Sequence, residues 1–225
     1  MQRLAQPAVL ESAAAAAFFT ALLCYPRLAL WTHRKDPLWY LVAVLFLGTT
    51  LLWGFVFAWH RRYSQCPVFG ARADPRLWGL ATLTGIVLTS VLHLWLDPSL
   101  RLLSPEDYPA SAGQWVTRTL FQMALVPLFL VFAPFAWAIR LFQDRRAAGV
   151  VTILFGVVVL GLKTRSSVVS FPSGLFAALL VLRIGFGLLT VTWYLRGGAP
   201  LVWWWYFLLE ARHWWKSAGN PGIGG

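Results

Sequence analysis

Acidic residues are the scarcest chemistry in this chain: eight Asp and Glu stand against 19 Lys and Arg among 225 residues, and charged residues total only 12%. A soluble domain of this length could not cover its surface with so few charges, so the water-soluble globular class is excluded. Cysteine is almost absent too. Cys24 falls in an apolar run and Cys66 in a loop, which excludes a disulfide framework and a cysteine-based metal site. No Gly-x-Ser-x-Gly, His-Glu-x-x-His or phosphate-binding loop occurs, and no Asp-Asp pair lies in an apolar helix as an intramembrane aspartyl protease needs. There is no internal repeat, and no low-complexity tract beyond Ala13–Ala17.

What is present is hydrocarbon and tryptophan. The chain is 59% hydrophobic, and 14 of its residues are Trp, whose ring and N–H suit the headgroup level of a bilayer. A membrane helix needs about 20 mostly apolar residues, because the hydrocarbon core is roughly 30 Å thick and each residue rises about 1.5 Å. The pattern predicts an all-α transmembrane bundle of about seven helices forming one membrane domain over the whole chain. The expected helices are Ser12–Trp31, Leu38–Trp59, Leu77–Leu96, Trp115–Phe142, Ala147–Leu162, Pro172–Leu195 and Pro200–Trp215. Pro26 and Arg27 predict a kink or early exit from the first. Pro127 and Pro134 predict a kinked fourth, since proline removes a backbone donor. The fifth is short enough to sit shallowly. The stretch Asp97–Gln114, with Glu106 and Asp107, is expected to be the largest piece outside the bilayer. With Arg3 as the only early basic residue and no small residue before Cys24, the N-terminal run reads as a retained helix rather than a leader.

The net charge of +11 does not point to nucleic acid. The basic residues fall in short groups between apolar runs, as at Arg34 and Lys35, Arg61 and Arg62, Arg72 and Arg76, Arg145 and Arg146, and Lys163 and Arg165. Such groups contact lipid phosphates and fix topology. Seven crossings put the termini on opposite sides. The tighter clusters at Arg61-Arg62 and Arg145-Arg146 favour the N-terminal side as cytoplasmic.

Two charges fall at membrane depth, Arg183 in the sixth helix and Glu210 in the seventh. Counted from the Gly197-Gly198 turn, Arg183 is about 14 residues back and Glu210 about 12 on, so their depths agree within roughly one turn. A lone charge there costs at least about 2.5–3.5 kcal/mol, which predicts an intramembrane Arg183–Glu210 ion pair. Such a pair either fixes helix register or lines a polar cavity. Glu210 is followed by Arg212 and His213 in a Glu-x-x-His spacing of the kind used in di-metal bundles. A second such motif is missing. His93, His213 and Glu210 are the residues from which a metal or haem site could be drawn, and no cofactor is predicted. His33 and His60, at helix ends, read as interfacial anchors. Gly156 with Gly161, and Gly185 with Gly187, read as helix-packing points. Trp203, Trp204 and Trp205 circle the seventh helix, and with Trp214 and Trp215 they are expected to face lipid or a partner chain.

The stretch GLLTVTWYLRGGAPLVWWWYFLLEAR, the Ala133-Pro134-Phe135-Ala136 segment and Phe155-Gly156 resemble the framework of the CAAX-protease and bacteriocin-processing (CPBP) family of intramembrane metalloproteases. The resemblance covers roughly residues 125–212. It implies a multi-pass protein of the bacterial inner membrane, with acids and histidines that hold a metal in active members. Here the two glutamates would fall on Trp137 and Ala138, and the arginine on Phe142. The histidines would fall on Val159 and Phe207, and the asparagine on Ala211. The resemblance therefore implies a member without metalloprotease chemistry. Two functions follow as expectations. The first is a non-enzymatic scaffold or accessory subunit packing against other membrane proteins. The second is a membrane enzyme or small transporter using a central polar cavity around Arg183, Glu210 and His213, with Glu210, His213 and Arg183 as catalytic candidates.

Overall fold

The computed structural model describes residues 6–31, 37–70, 74–105, 108–166 and 172–214. His33, Arg34, Lys35, Arg72, Glu106, Asp107 and Trp215 lie outside the described residues. Six helices are long and apolar enough to cross a membrane: α1 (Pro7–Trp31), α2 (Leu38–Ser64), α3 (Pro75–Leu103), α4 (Ala112–Phe142), α5 (Arg145–Ser166) and α6 (Ser173–Ala211). No strand occurs among the described residues.

Local chemistry sets most of the boundaries. Asp74 accepts from the Arg76 amide and is followed by Pro75, a residue suited to the first helical position, so α3 starts there. Ser111 caps α4 by accepting from the Gln114 amide, and Gln114 reaches back to the Ala110 amide. Gln143 in a left-handed conformation ends α4, and Asp144 caps α5 immediately afterwards through the Ala147 amide. That cap lets α5 begin at Arg145 and run 22 residues, so it is a full-length helix rather than the short one expected.

Three single-turn π segments interrupt the long helices, at Val56–His60, Leu92–Leu96 and Leu128–Phe132. The last lies between Pro127 and Pro134, where missing or displaced backbone donors favour a wider turn. In α3 the π turn leads into a further helical segment, Asp97–Leu103, with Pro98 in its first turn where the absent N–H is tolerated. The first part of the stretch Asp97–Gln114 is thus helical. Pro26 does not end α1; the helix continues to Trp31.

The last two expected helices form one helical element that reverses at Gly198, whose φ of 69° and ψ of −168° are non-helical. The reversal is plain from the rings: Phe186 lies 5.3 Å from Tyr206, and Trp193 lies 6.2 Å from Trp205. In a straight helix the first pair would be about 30 Å apart. A Cβ at residue 198 would lie 2.6 Å from the Val68 carbonyl oxygen, and the Ala199 amide donates to that same oxygen at 2.7 Å. Only glycine fits this turn.

The α6 hairpin is the middle of the bundle. Leu201, Val202, Trp205 and Leu209 are buried with Phe132, Phe135 and Ile139 of α4, and Tyr194 stacks on Phe132 at 4.6 Å. Without water to expel, association here comes from close packing and interhelical hydrogen bonds. Trp204 donates to Thr82, Thr89 to the Leu208 carbonyl and Trp115 to the Glu210 carbonyl, so α3 and α4 both grip the second arm. On the other side Ala13, Ala17, Ala21, Cys24 and Leu28 form one buried stripe on α1. The alanine run is its core, since small residues let two helix backbones approach closely. Of the four glycines expected at packing points, Gly187 meets Ile153 of α5 and Gly156 lies against the Arg183 guanidinium, while Gly161 and Gly185 face open space.

The tryptophan run is a correction. Trp205 is fully buried in the core, and Trp203 is packed between Phe69 and Phe132. The reversal at Gly198 places these rings on the inside of the bundle. Trp204 is half-buried, and Trp214 is exposed on one edge while packing against Trp115 at 4.7 Å. His60 is also corrected: the π turn of α2 rotates it inward, between the rings of Phe135 and Tyr194, with no exposure.

Candidate functional site

The C-terminal ends of α3 and α6 and the start of α4 meet at one end of the bundle and bring a polar cluster together there. Asp97 is its centre and is 2% exposed. One carboxylate oxygen accepts from the Tyr108 hydroxyl at 3.0 Å. The other faces the Arg212 Nε at 3.4 Å and the His93 Nδ1, one turn earlier on α3, at 3.5 Å. Arg101 lies over the Tyr108 ring at 4.6 Å, and His213 meets that ring edge-on at 5.1 Å. Beside them Arg118 of α4 approaches Glu210, Nε to Oε2, at 3.7 Å.

Three arginines against two carboxylates leave the cluster with an excess positive charge. Burial, together with Arg212, Arg118, Arg101 and His93, holds His213 far below its ordinary pKa, so it is a neutral imidazole. Burial and the Asp97 carboxylate push the Tyr108 hydroxyl above its usual range, keeping it a donor. The ion-pair contacts are too long or misaligned to be hydrogen bonds. Eight buried polar atoms therefore have no hydrogen-bond partner here: His93 Nδ1, Asp97 Oδ2, Arg101 Nε, Arg118 Nε, Glu210 Oε2, Arg212 Nε and both His213 ring nitrogens. Native interiors rarely leave such groups unmatched, so their concentration at one end of the bundle calls for an explanation.

A groove of about 260 Å³ leads from this cluster into the side of the bundle. Glu210 and Arg212 are at its outer part; Arg183, Gln122 and Tyr206 lie farther along, and leucines of α3, α5 and α6 form its walls. The Arg183–Glu210 ion pair expected from matched depth does not form. Arg183 instead donates from Nε to the Gly156 carbonyl at 3.1 Å, and Glu210 turns to Arg118. The antiparallel register lets both charges line one groove without touching. Glu210 and His213 likewise turn to different partners. Among the described residues no three His, Cys, Asp or Glu side chains come together as a metal-ligand group.

Sequence reasoning singled out Arg183, Glu210, His213 and His93. It passed over Asp97, Arg101, Tyr108, Trp115 and Arg118, which looked like helix-end and loop chemistry. The one available signal was Asp97, an acid on the same helix face as His93 four residues earlier. The positions carried over from the CPBP framework do not gather at this cluster: Trp137 lines an apolar crevice with Pro134 and Phe155, and Phe207 stacks on Trp204. No family model, no curated protein and no solved structure matches the chain.

Proposed function

We propose that this chain is a multi-pass membrane protein whose end cluster binds a charged ligand, as a membrane enzyme or carrier built around a polar cavity rather than a passive scaffold. One observation carries the reading: eight buried polar atoms without a hydrogen bond, five of them held only in loose ion-pair contacts, converge around Asp97 and Glu210 from three helices and the segments beside them. Gathering five formal charges, with Asp97 buried and the others partly buried, costs free energy that a passive scaffold has no use for. Neutral His213 supplies a proton acceptor, and the arginines supply anion binding. We place seven crossings in the bilayer, because the arm of α6 after Gly198 runs beside α3 from Val68 at one end of it to Asp97 at the other. Any kinship with the CPBP family is then one of framework.

The test is direct. Protein extracted in mild detergent should retain a small molecule detectable by mass spectrometry. Asp97→Asn should lose it while keeping the thermal midpoint within a few degrees, and so should Arg118→Gln combined with Glu210→Gln, which removes both charges of that pair while the protein stays folded. If both variants retain whatever the parent retains, the site reading fails. The scaffold reading takes its place if, in addition, a stoichiometric partner chain co-purifies.

A further inference from the structure

Arg183 is a cation held about 15 Å from the start of α6, near the middle of a membrane helix. Among the described residues no carboxylate lies within ion-pair distance of it. Its one hydrogen bond, to the Gly156 carbonyl, uses Nε. The terminal guanidinium nitrogens, which form the fork that grips phosphate or carboxylate in bidentate fashion, are left for something else. Side chains on a helix lean toward its N-terminus, so Arg183 leans toward the polar end of the bundle and Glu210, on the returning arm, leans inward. Both therefore point into the groove. Next to Arg183 the Tyr206 hydroxyl is buried, with the residue 5% exposed, and it has no hydrogen-bond partner. It lines the same groove.

The groove is open to the side. Its walls carry Leu88, Leu92, Leu160, Leu179 and Leu182, an apolar surface continuous with the lipid-facing side of α3 and α5. A donor pair at the inner end, Glu210 with the Asp97-paired Arg212 at the outer end, and a leucine wall between them suit an amphiphile whose anionic head lies at Arg183. A soluble anion would leave the leucine wall without a role. Basic pockets between membrane helices are a known way of holding acidic lipid headgroups.

We propose that this lateral groove binds the phosphate headgroup of a single membrane lipid, with Arg183 and Tyr206 as its inner ligands and the leucine wall as the seat of a hydrocarbon chain. The proposal rests on the polar-site reading above and names the ligand class of that site. It makes Gly156 a positioning residue. A Cβ there would fall 2.8 Å from the Arg183 Nη2, so only glycine lets the guanidinium lie in this place.

The full chain in mild detergent is titrated separately with dioleoyl phosphatidate, dioleoyl phosphatidylcholine and inorganic phosphate, reading bound mass by native mass spectrometry and the thermal midpoint. Phosphatidate should bind and raise the midpoint, and the other two should do neither. Arg183→Gln should weaken phosphatidate binding about tenfold or more, as expected for losing a charge-assisted contact. Tyr206→Phe and Gly156→Ala should each weaken it several-fold, and they decide the matter if Arg183→Gln does not fold. Equal binding of phosphatidylcholine overturns the headgroup assignment, and binding of inorganic phosphate alone overturns the lipid. Binding unchanged in these variants overturns the groove. If Asp97→Asn releases a native ligand but phosphatidate does not bind the parent, this inference falls and the site reading stands; if there is no native ligand either, both fall.

Discussion

Glu210 sits in the same groove as Arg183, yet the arginine within ion-pair distance of it is Arg118, from another helix. That difference can be measured. Arg118→Met should cost about 3–5 kcal/mol in detergent unfolding, because it strands a buried carboxylate, and Arg118→Met with Glu210→Met together should recover much of the loss. The corresponding cycle between Arg183 and Glu210 should show coupling below about 0.5 kcal/mol, the range for groups that share no contact. Coupling found at 183/210 and not at 118/210 would reverse the assignment. The residues that sequence alone brought forward were the two charges deepest in apolar runs, since isolation in hydrocarbon is visible in one dimension. Arg118 and Asp97 were not visible that way. Each stands near a helix end, where a charge usually needs no partner, and only the fold brings Asp97 to Arg212.

At the scale of elements, the helices were readable because bilayer thickness fixes their length, and their ends were readable where capping residues mark them, as at Asp74-Pro75. What escaped were features that depend on backbone register. The π turn Val56–His60 contains no residue that marks it, and His60 at its end lies in the core. The Gly197-Gly198 break was legible as a turn, but the pairing of faces across it was not, so Trp205 looked like a surface ring. The turn itself gives a sharp prediction. Gly198→Ala should destabilise the protein by at least about 2 kcal/mol, from its positive φ and the Val68 carbonyl against which a Cβ would press. Gly185→Ala, in open space on the same helix, should be neutral or stabilising by up to about 1 kcal/mol. Thermal or denaturant unfolding of the two variants side by side checks this, and equal behaviour would show that the turn is not strained against substitution.

For the whole molecule, the proposed arrangement of six elements with one folded back on itself gives an odd number of crossings. Reporter domains fused to the two ends should therefore appear on opposite faces of the membrane, as judged by protease access in sealed vesicles. Reporters on the same face would show that one arm of α6 does not cross. The same arrangement sets the site's address. The Asp97 cluster lies at the end of the bundle opposite the α2–α3 loop, whereas the groove opens on its side, which on the proposed reading gives a ligand a route in from the bilayer. Exposed Leu47, Leu83, Leu162 and Val181 cover the outside with hydrocarbon, as lipid contact requires.

The bond from the Ala199 amide to the Val68 carbonyl also fixes an order of events. The chain emerges N-terminal first, so the α2–α3 loop is in place long before the hairpin that docks under it is made. Until that hairpin arrives, Thr82 and Trp115 have no acceptor or donor across the bundle, Phe132 and Phe135 line an unfilled middle, and Arg118 faces no acid. The α6 hairpin, made after the other described helices, is thus the keystone of the assembly. A nascent chain that stalls before residue 198 holds most of its hydrophobic length and the packing of α1 on α2 and of α4 on α5, but its middle stays open, which makes it a ready target for membrane quality control.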